Sequence, residues 1–289
     1  MDSLRGEEIV IVGGDRRELE LYRVWEDAGL RVKAMGFELT SPGPQPVGAG
    51  PGDLSQAGVL VFPLPGIKGD GTVYAPFAGE PLEIKTLIKQ INPRSILLVG
   101  AIAPGWQSLM AGYKKLILTA TDEGLAIRNA IPTAEGAIQK AMEIADITIH
   151  GSRVLVLGFG RCGSALARAL QGLGAEVSVL VRRRESEALA INLGFKAIFR
   201  EELAEAVAAV DFIFNTVPAL MLPDSLLKNV QKETIILDLA SSPGGTDFPA
   251  AARRGIKALL LPALPGRVAP RSSGRLLAGL YPRIIKGNR

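Results

Sequence analysis

The sequence contains a single cysteine, Cys162, and a single histidine, His150. One cysteine excludes an internal disulfide and a zinc site built from cysteines. The first residues, MDSLRGEEIV, are charged and lack the apolar stretch of a signal peptide. No apolar run reaches the roughly 18 to 20 residues that a membrane span requires. These absences predict a cytoplasmic protein that holds no metal and contacts no membrane.

Acidic residues are also absent after Asp247, although the formal net charge of the whole chain is only +4. A charge this small does not indicate a nucleic-acid partner. The cations of the C-terminal part allow two interpretations, which are a solvated surface or contacts with an anionic substrate or partner. These cations are Arg253, Arg254, Lys257, Arg267, Arg271, Arg275, Arg283, Lys286 and Arg289.

The length of 289 residues and the hydrophobic share of 47% suit two ordinary domains with buried cores. Short β-rich runs alternate with helical stretches, which is typical of α/β domains built on open parallel sheets. We predict an N-terminal α/β domain on the substrate side (residues 1–130), a connecting helix (131–150), a Rossmann domain (151–265) and a C-terminal helix (266–289) that packs back on the first domain.

The predicted strands cover residues 8–12, 32–37, 58–62, 95–99, 115–118, 153–157, 176–181, 197–199, 211–215, 234–239 and 257–261. Residues 40–53 are rich in proline and glycine and predict a loop. Pro132-Thr133-Ala134-Glu135 is predicted to open the connecting helix, because proline suits the first turn of a helix and an acid suits its positive end.

The strongest functional signal is the segment Gly158-Phe159-Gly160-Arg161-Cys162-Gly163, which follows an apolar run and opens an amphipathic one. This G-x-G-x-x-G arrangement in a strand-to-helix context predicts that these six residues bind a nicotinamide dinucleotide. Gly158 permits a tight turn, Gly160 admits the pyrophosphate beside the backbone, and Gly163 allows the helix to pack closely. The alternative is a glycine-rich turn with a structural role only.

The next predicted strand ends in Arg182-Arg183-Arg184, where NAD-binding domains usually carry an acid for the ribose 2′-hydroxyl. Arginine pairs with a 2′-phosphate through charged, forked hydrogen bonds. Arg182 and Arg183 are therefore predicted to bind the cofactor and to favour NADP, while NAD stays possible. A basic loop in solvent is the alternative, and Glu185 lies close in sequence.

Two further strands end in polar or small residues at the edge where open α/β sheets bind ligands. Asn215, Thr216, Val217 and Pro218 form one such segment, and it is predicted to border the nicotinamide-ribose. Ala240 is predicted to leave space for the nicotinamide ring. Asp238, which ends the same strand as Ala240, is either a ligand of this site or a buried structural acid.

Side chains typical of acid–base catalysis are scarce in this chain. Two-domain hydroxyacid dehydrogenases use a late histidine paired with an acid as proton donor, and this sequence has no histidine there. His150 precedes the first Rossmann strand and is predicted to be structural. The catalytic residues therefore stay unidentified at this point.

The motifs together resemble one family, the A subunit of dipicolinate synthase. The resemblance rests on Val12-Gly13-Gly14-Asp15-Arg16, on residues 131–137 (IPTAEGA), on the glycine motif, on residues 215–219 (NTVPA) and on residues 264–270 (LPGRVAP). It covers nearly the whole chain. The segments at 131–137 and 264–270 are more particular to the family than the Rossmann motifs are.

The resemblance implies a protein of spore-forming bacteria, acting in the mother cell, that makes dipicolinate from the dihydrodipicolinate branch of lysine biosynthesis. It implies hydride transfer to a nicotinamide cofactor, and its partner is the flavoprotein-like B subunit of dipicolinate synthase. Assembly of this chain with copies of itself stays open. Two other functions also stay open, an amino-acid or hydroxyacid dehydrogenase and a non-catalytic subunit that binds a dinucleotide.

A pyridine dicarboxylate carries two negative charges, so its site is expected to present backbone amides or arginines. Gly13 and Gly14 are predicted to offer free backbone amides, with Arg16 next to them. Arg267, after a predicted Leu-Pro-Gly turn, and Arg271 are candidates from the C-terminal part. Thr133 and Glu135 are further candidates, although a capping role for Glu135 is an equal alternative.

Overall fold

The computed structural model describes residues 1–40, 46, 48–113 and 115–288. The chain divides into two compact units, Met1–Arg128 with Ala269–Arg289, and Asn129–Val268. Each unit is built on its own parallel sheet.

The sheet of the first unit has the strand order β2-β1-β3-β4-β5. Its strands are β1 (Glu8–Val12), β2 (Arg31–Met35), β3 (Val59–Val61), β4 (Ile96–Val99) and β5 (Leu116–Leu118). The helices between them are α1 (Arg16–Asp27), α2 (Pro51–Gln56), α3 (Ile84–Leu87) and α4 (Gln107–Met110). Side chains of β1 alternate between two apolar layers, with Ile9 and Ile11 on one face and Val10 and Val12 on the other. Burial on both faces explains why these strands read as continuous apolar runs.

The predicted loop at 40–53 is only partly described, because residues 41–45 and 47 lie outside the described residues. Its last residues are helical, since α2 begins at Pro51. Proline in the first turn of a helix loses no hydrogen bond, and Asp53 accepts one from the Gly50 amide at 2.8 Å.

Helix α5 (Glu123–Ile144) begins earlier than predicted. Asp122 caps it, because its Oδ1 accepts a hydrogen bond from the Leu125 amide at 2.7 Å. Pro132 lies inside the helix and does not open it. The prediction of a helix start at Pro132 is therefore wrong, as is the predicted end at residue 150. Glu135 lies well beyond the first turn, which removes the capping role considered for it.

The sheet of the second unit has the strand order β11-β10-β9-β6-β7-β8. Its strands are β6 (Arg153–Leu157), β7 (Glu176–Leu180), β8 (Lys196–Ile198), β9 (Phe212–Asn215), β10 (Ile235–Asp238) and β11 (Lys257–Leu260). The helices are α6 (Arg161–Gly172), α7 (Arg184–Asn192), α8 (Leu203–Ala206), α9 (Asp224–Leu227), α10 (Phe248–Arg253) and α11 (Leu264–Val268). This is the predicted Rossmann arrangement, in which all pairs are parallel.

The short helix α11 replaces the predicted Leu-Pro-Gly turn. Leu264 is buried there, and the helix packs on α5 at Gly136. A Cβ at Gly136 would lie 2.8 Å from Val268 Cγ2 and 3.2 Å from Leu264 Cβ. Residues 131–137 and 264–270, the two segments most specific to the family, therefore contact each other, and Gly136 permits this contact.

The last helix, α12 (Pro270–Gly287), packs on α1 of the first unit, as predicted. Trp25 Nε1 donates to the Ala278 carbonyl at 3.1 Å, and the Arg275 side chain donates to Glu20 at 3.0 Å. Gly274 allows the approach, because a Cβ there would lie 2.5 Å from the Arg17 carbonyl oxygen. The predicted fold class, two open parallel-sheet domains and a returning C-terminal helix, is confirmed.

Candidate functional site

The carboxyl edge of the second sheet brings three predicted segments side by side. Leu157, the last residue of β6, pairs with Leu180 of β7 and with Asn215 of β9. The loops that follow these strands therefore begin at neighbouring points of one edge, where open α/β sheets bind ligands.

The three glycines of the motif have different environments. Gly158 has a φ of +95°, and a Cβ there would lie 2.8 Å from Thr216 Oγ1. At Gly163 a Cβ would lie 2.0 Å from the Gly158 carbonyl oxygen, so this glycine permits the contact between α6 and the loop. At Gly160 no described heavy atom other than those of Gly160 and its two chain neighbours lies within 4 Å of that position. Gly160 therefore leaves open space beside the first turn of α6, where backbone amides and the helix dipole favour an anion.

A cavity of about 480 Å³ lies at this edge. Gly158, Phe159 and Gly160 line it from the glycine loop, Arg182 and Arg183 from the end of β7, and Val217 from the end of β9. The open side of Gly160 and the two exposed arginines are thus part of one cavity. Such a surface fits a dinucleotide, whose pyrophosphate needs the open backbone at Gly160.

The third arginine of the run has a different position. The Arg184 guanidinium pairs with Glu187 at 2.9 Å and lies over the Phe199 ring, 4.6 Å from its centroid. It is the first residue of α7, and its exposed side chain is engaged by these two neighbours. Arg182 and Arg183 therefore differ from Arg184 in facing the cavity.

The remaining residues of the glycine motif lie in the first turn of α6. Arg161 is exposed, whereas Cys162 is half-buried and burial raises the pKa of its thiol. A thiol with a raised pKa is mostly protonated at neutral pH, so Cys162 does not have the character of a nucleophile.

Asn215 is fully buried, and its hydrogen bonds are made within the protein. Its amide donates to the Val217 carbonyl and to Asp238 Oδ1, each at 3.0 Å, and its oxygen accepts from the Val217 amide at 3.1 Å. Thr216 Oγ1 donates to the Leu157 carbonyl at 2.9 Å. These two side chains hold the loop after β9 in place. That this loop borders the nicotinamide-ribose stays a prediction. Pro218, which follows them, is exposed.

Asp238 is the buried structural acid that the sequence offered as one alternative. It is fully buried at the end of β10. Its Oδ1 also accepts from the Ala240 amide at 3.0 Å, while Oδ2 accepts from the Gly245 amide and from Thr246 Oγ1. Ala240 is buried beside it, so this carboxylate fixes the direction of the loop that carries Ala240.

The predicted free amides of the first unit are bonded. The Gly13 amide donates to the Met35 carbonyl at 2.9 Å, and the Gly14 amide donates to the Tyr74 carbonyl at 2.8 Å. The prediction that these amides are free for a carboxylate is therefore wrong, because strand β2 and the loop at Tyr74 supply acceptors. Arg16 is the exposed first residue of α1.

A buried charged cluster that the sequence analysis missed lies next to Arg16. The Asp15 carboxylate caps α1 through the Arg17 amide and also accepts two hydrogen bonds from the Arg17 guanidinium, all at 2.9 Å. Glu18 is fully buried, and burial raises its pKa to about 7, although the charge of Arg17 acts in the opposite direction. The spacing of Asp15 and Glu18 is that of a capping box, which is the signal that could have identified the pair.

The other predicted substrate residues lie on α5, α11 and α12. Thr133 Oγ1 donates to the Asn129 carbonyl at 2.8 Å, one turn earlier in its own helix. Glu135 is exposed and lines a shallow surface hollow with Ile138 and Met142. Arg267 on α11 and Arg271 on α12 are both exposed.

His150 lies at the amino end of β6, opposite the cavity edge, and is exposed. Its ring approaches Gly174, where a Cβ would lie 2.2 Å from Nδ1. Within the described ranges there is no cluster of metal-ligating side chains. The same ranges hold no helix that is long and apolar enough to span a membrane.

The comparisons with known proteins identify a family for each part of the chain. Residues 8–119 match the model of the N-terminal domain of the dipicolinate synthase A subunit. Residues 116–241 match the NAD binding domain of D-isomer specific 2-hydroxyacid dehydrogenases. The second match, together with the cavity, makes the Rossmann unit a nicotinamide dinucleotide-binding domain of an NAD(P)-dependent oxidoreductase.

Similar proteins extend the match to the full length. The dipicolinate synthase A subunit of Bacillus subtilis (strain 168) is 35% identical over 289 residues, 98% of this chain and 97% of the relative. The crystal structure of the corresponding protein from Bacillus halodurans superposes with a TM-score of 0.89 at 34% identity, covering 98% of both chains. The crystal structure of the Bacillus subtilis protein superposes with a TM-score of 0.87 at 34% identity, covering 99% of both.

Proposed function

The chain belongs to the family of dipicolinate synthase A subunits, and we propose that it produces dipicolinate by hydride transfer from a dihydrodipicolinate-pathway intermediate to NADP. The observation that carries this proposal is the cavity at the carboxyl edge of the second sheet. Its wall combines the open backbone of Gly160 with the cations of Arg182 and Arg183. The preference for NADP over NAD rests on those two arginines.

The proposed reaction converts a dihydropyridine dicarboxylate into an aromatic ring. A ring C–H bond breaks, and an oxidised nicotinamide cofactor, held at the loop of Gly158, Gly160 and Gly163, would supply the hydride acceptor. A proton leaves the ring for solvent. Aromatic stabilisation of the product supplies much of the driving force, so the step does not require the histidine–acid pair of hydroxyacid dehydrogenases. The position of His150, at the sheet edge opposite the cavity, agrees with this chemistry.

The substrate's two carboxylates need cationic or hydrogen-bonding partners. We propose Arg16, Arg267 and Arg271 for this role, because all three are exposed. Glu135 is exposed and precedes Gly136, the glycine that contacts α11. It stays a candidate for binding the substrate ring or for accepting the proton that leaves it. The Thr133 hydroxyl is a weaker candidate, since its hydrogen is donated within its own helix.

The partner in this proposal is the flavoprotein-like B subunit of the synthase. The relatives are named as one subunit of a synthase, which supports assembly with another protein. The residues that line the cavity also support a second candidate function. The described cavity wall carries glycine, arginine, serine and apolar side chains and no carboxyl or imidazole group, which would suit a dinucleotide-binding chain whose partner supplies the catalytic groups.

Two measurements separate these functions. Titration of the purified chain with NADPH and NADH is expected to show binding of both, with NADPH bound more tightly. Oxidation of dihydrodipicolinate is then followed by nicotinamide absorbance, with the chain alone and with the flavoprotein-like partner. Turnover that requires the partner, together with normal NADPH binding by the chain alone, favours the non-catalytic role. Absence of dinucleotide binding would contradict both functions.

A further inference from the structure

A third arginine, Arg200, lies at the same sheet edge as the pair at the end of β7. Strands β7 and β8 are paired so that Leu180 lies beside Ile198, and the Val181 amide donates to the Ile198 carbonyl at 2.9 Å. Arg182 lies two residues after Leu180, and Arg200 lies two residues after Ile198. Both side chains line the cavity, although the two residues are far apart in sequence.

The backbone around Arg200 is fixed by local hydrogen bonds. Arg200 begins a short 3-10 turn, Arg200–Glu202, at the end of β8. The Phe199 amide donates to Glu202 Oε2 at 2.8 Å, which holds the start of the turn. Phe199 itself lies under the guanidinium of Arg184. These contacts hold the backbone from which the Arg200 side chain reaches the cavity.

The three cavity arginines differ from Arg184 in their surroundings. Among the described residues, no ion pair or hydrogen bond joins Arg182, Arg183 or Arg200 to an acidic side chain, whereas Arg184 is paired with Glu187. The cavity wall in this region adds Ser186, a neutral hydrogen-bonding residue. Three such guanidinium groups around one cavity match an anion with several oxygens and more than one negative charge.

We propose that Arg200 is a specificity-determining residue that binds the 2′-phosphate of the dinucleotide together with Arg182 and Arg183. The proposal rests on the proposed nicotinamide dinucleotide function and deepens it. A 2′-phosphate presents three acceptor oxygens, which suits forked donors arriving from two neighbouring strands. A 2′-hydroxyl would leave these cations without a charged partner, so NAD would gain little from Arg200.

The test uses two fragments that differ by one phosphate, adenosine 2′,5′-bisphosphate and adenosine 5′-phosphate. Their dissociation constants for the purified full chain are measured by calorimetry. Arg200→Gln is expected to weaken binding of the bisphosphate by at least about tenfold, because a hydrogen bond to a charged group is lost, and to leave the monophosphate within about twofold. Arg200→Lys is expected to lie between wild type and Arg200→Gln, since it keeps the charge and loses the fork.

Arg184→Gln is the matched control, because Arg184 is adjacent in space and already paired. It is expected to leave both dissociation constants within about twofold. Thermal unfolding of each variant checks that the fold is intact, and Arg200 is exposed, so little change is expected.

The outcomes distinguish this proposal from the one on which it rests. Equal weakening of both fragments by Arg200→Gln would mean that Arg200 contacts the adenine or the 5′-phosphate, and it overturns the proposal. An unchanged bisphosphate constant also overturns it. A wild-type chain that binds both fragments equally contradicts the 2′-phosphate site and leaves a dinucleotide site intact. A wild-type chain that binds neither fragment and neither dinucleotide contradicts both proposals.

Discussion

The side-chain amide of Asn215 donates a hydrogen bond to Asp238 Oδ1 at 3.0 Å, and both side chains are fully buried. The two residues end neighbouring strands, where register places them directly side by side. Asp238 accepts three further hydrogen bonds from the loop that follows it. This pair therefore sets the shape of two loops at the cavity edge without touching the cavity itself.

Removal of the Asp238 carboxylate is expected to destabilise the second unit. Asp238→Ala leaves buried donors without an acceptor, among them the Asn215 amide and the Thr246 hydroxyl. Each unsatisfied buried group costs about 1 to 3 kcal/mol, so the free energy of unfolding is expected to fall by roughly 3 kcal/mol. Urea unfolding followed by circular dichroism measures this.

Asp224→Ala is the control for that measurement. Its carboxylate is half-exposed and pairs with Arg254 at 2.9 Å. Surface ion pairs contribute about 0 to 1 kcal/mol, so this variant is expected to stay close to wild type. Equal effects of the two substitutions would contradict the structural role of Asp238.

Two glycines of the same motif are expected to respond differently to valine. Gly160→Val places a side chain in open space beside α6, so stability is expected to stay within about 1 kcal/mol while dinucleotide affinity is lost. Gly163→Val drives a side chain into the Gly158 carbonyl and is expected to lower stability by several kcal/mol, on the order of 3.

Thermal unfolding and NADPH titration of the two variants check this pair. Gly172→Val serves as control, because Gly172 lies at the far end of α6 and also has open space at its Cβ position. If Gly160→Val still binds NADPH, the pyrophosphate does not bind at this loop.

The sequence predicted those features of the fold that depend on neighbouring residues. The strand runs were recognisable because both faces of each sheet are buried, so alternation gives way to continuous apolar residues. The glycine motif was recognisable because its requirements lie within six consecutive residues. The packing of α12 on α1 was also predicted, but two local environments that depend on residues distant in sequence were not. Gly14 is bonded to Tyr74, and Arg200 reaches the cavity only through the register of β7 with β8.

The helix start at Pro132 shows a different limit. Proline in the first turn of a helix is a strong signal, and the cap at Asp122 is a weaker one in sequence. Helix α5 nevertheless continues through Pro132, and its buried alanines, such as Ala134 and Ala137, pack in the core of the second unit. Tertiary packing therefore outweighed the local signal.

The double variant Arg182→Ala/Arg183→Ala is expected to weaken NADPH binding by about tenfold or more. NADH binding is expected to change much less, because the 2′-hydroxyl of NADH gives these arginines no charged partner. Fluorescence titration with both reduced cofactors measures the ratio of the two dissociation constants. Equal weakening of both cofactors would show that the arginines act on a part of the dinucleotide common to both.

The pH dependence of stability is expected to include a contribution from Glu18. Burial raises its pKa from 4.5 to about 7, so the folded state keeps a proton that the unfolded state has already released. This contribution is fully present below pH 4.5 and is lost as the pH rises through 7. Glu18→Gln carries no titrating group and is expected to flatten the fall in stability between these pH values, by roughly 1 to 3 kcal/mol.

Urea unfolding at a series of pH values measures the Glu18 contribution. Glu233→Gln is the control, because Glu233 is an exposed carboxyl of the other unit. In that control the free energy of unfolding is expected to fall with pH as steeply as in the wild type. If the free energy of unfolding of Glu18→Gln falls with pH as steeply as that of the wild type, groups other than Glu18 cause the pH dependence.

Arg267→Ala is expected to raise the Michaelis constant for dihydrodipicolinate and to leave NADPH affinity within about twofold. The side chain is exposed on α11, and that helix is anchored by buried Leu264 and by its contact with Gly136, so the substitution should not disturb the fold. A bidentate hydrogen bond to a carboxylate is charge-assisted, and its loss corresponds to about tenfold or more in the Michaelis constant.

Arg283→Ala is the control, because it removes another exposed arginine, from α12, and it is expected to leave the Michaelis constant unchanged. Steady-state kinetics of both variants, each assembled with the flavoprotein-like partner, decide between a carboxylate contact and a solvated cation. A normal Michaelis constant in Arg267→Ala would assign Arg267 to the solvated surface and leave Arg16 and Arg271 as the candidates for the carboxylates.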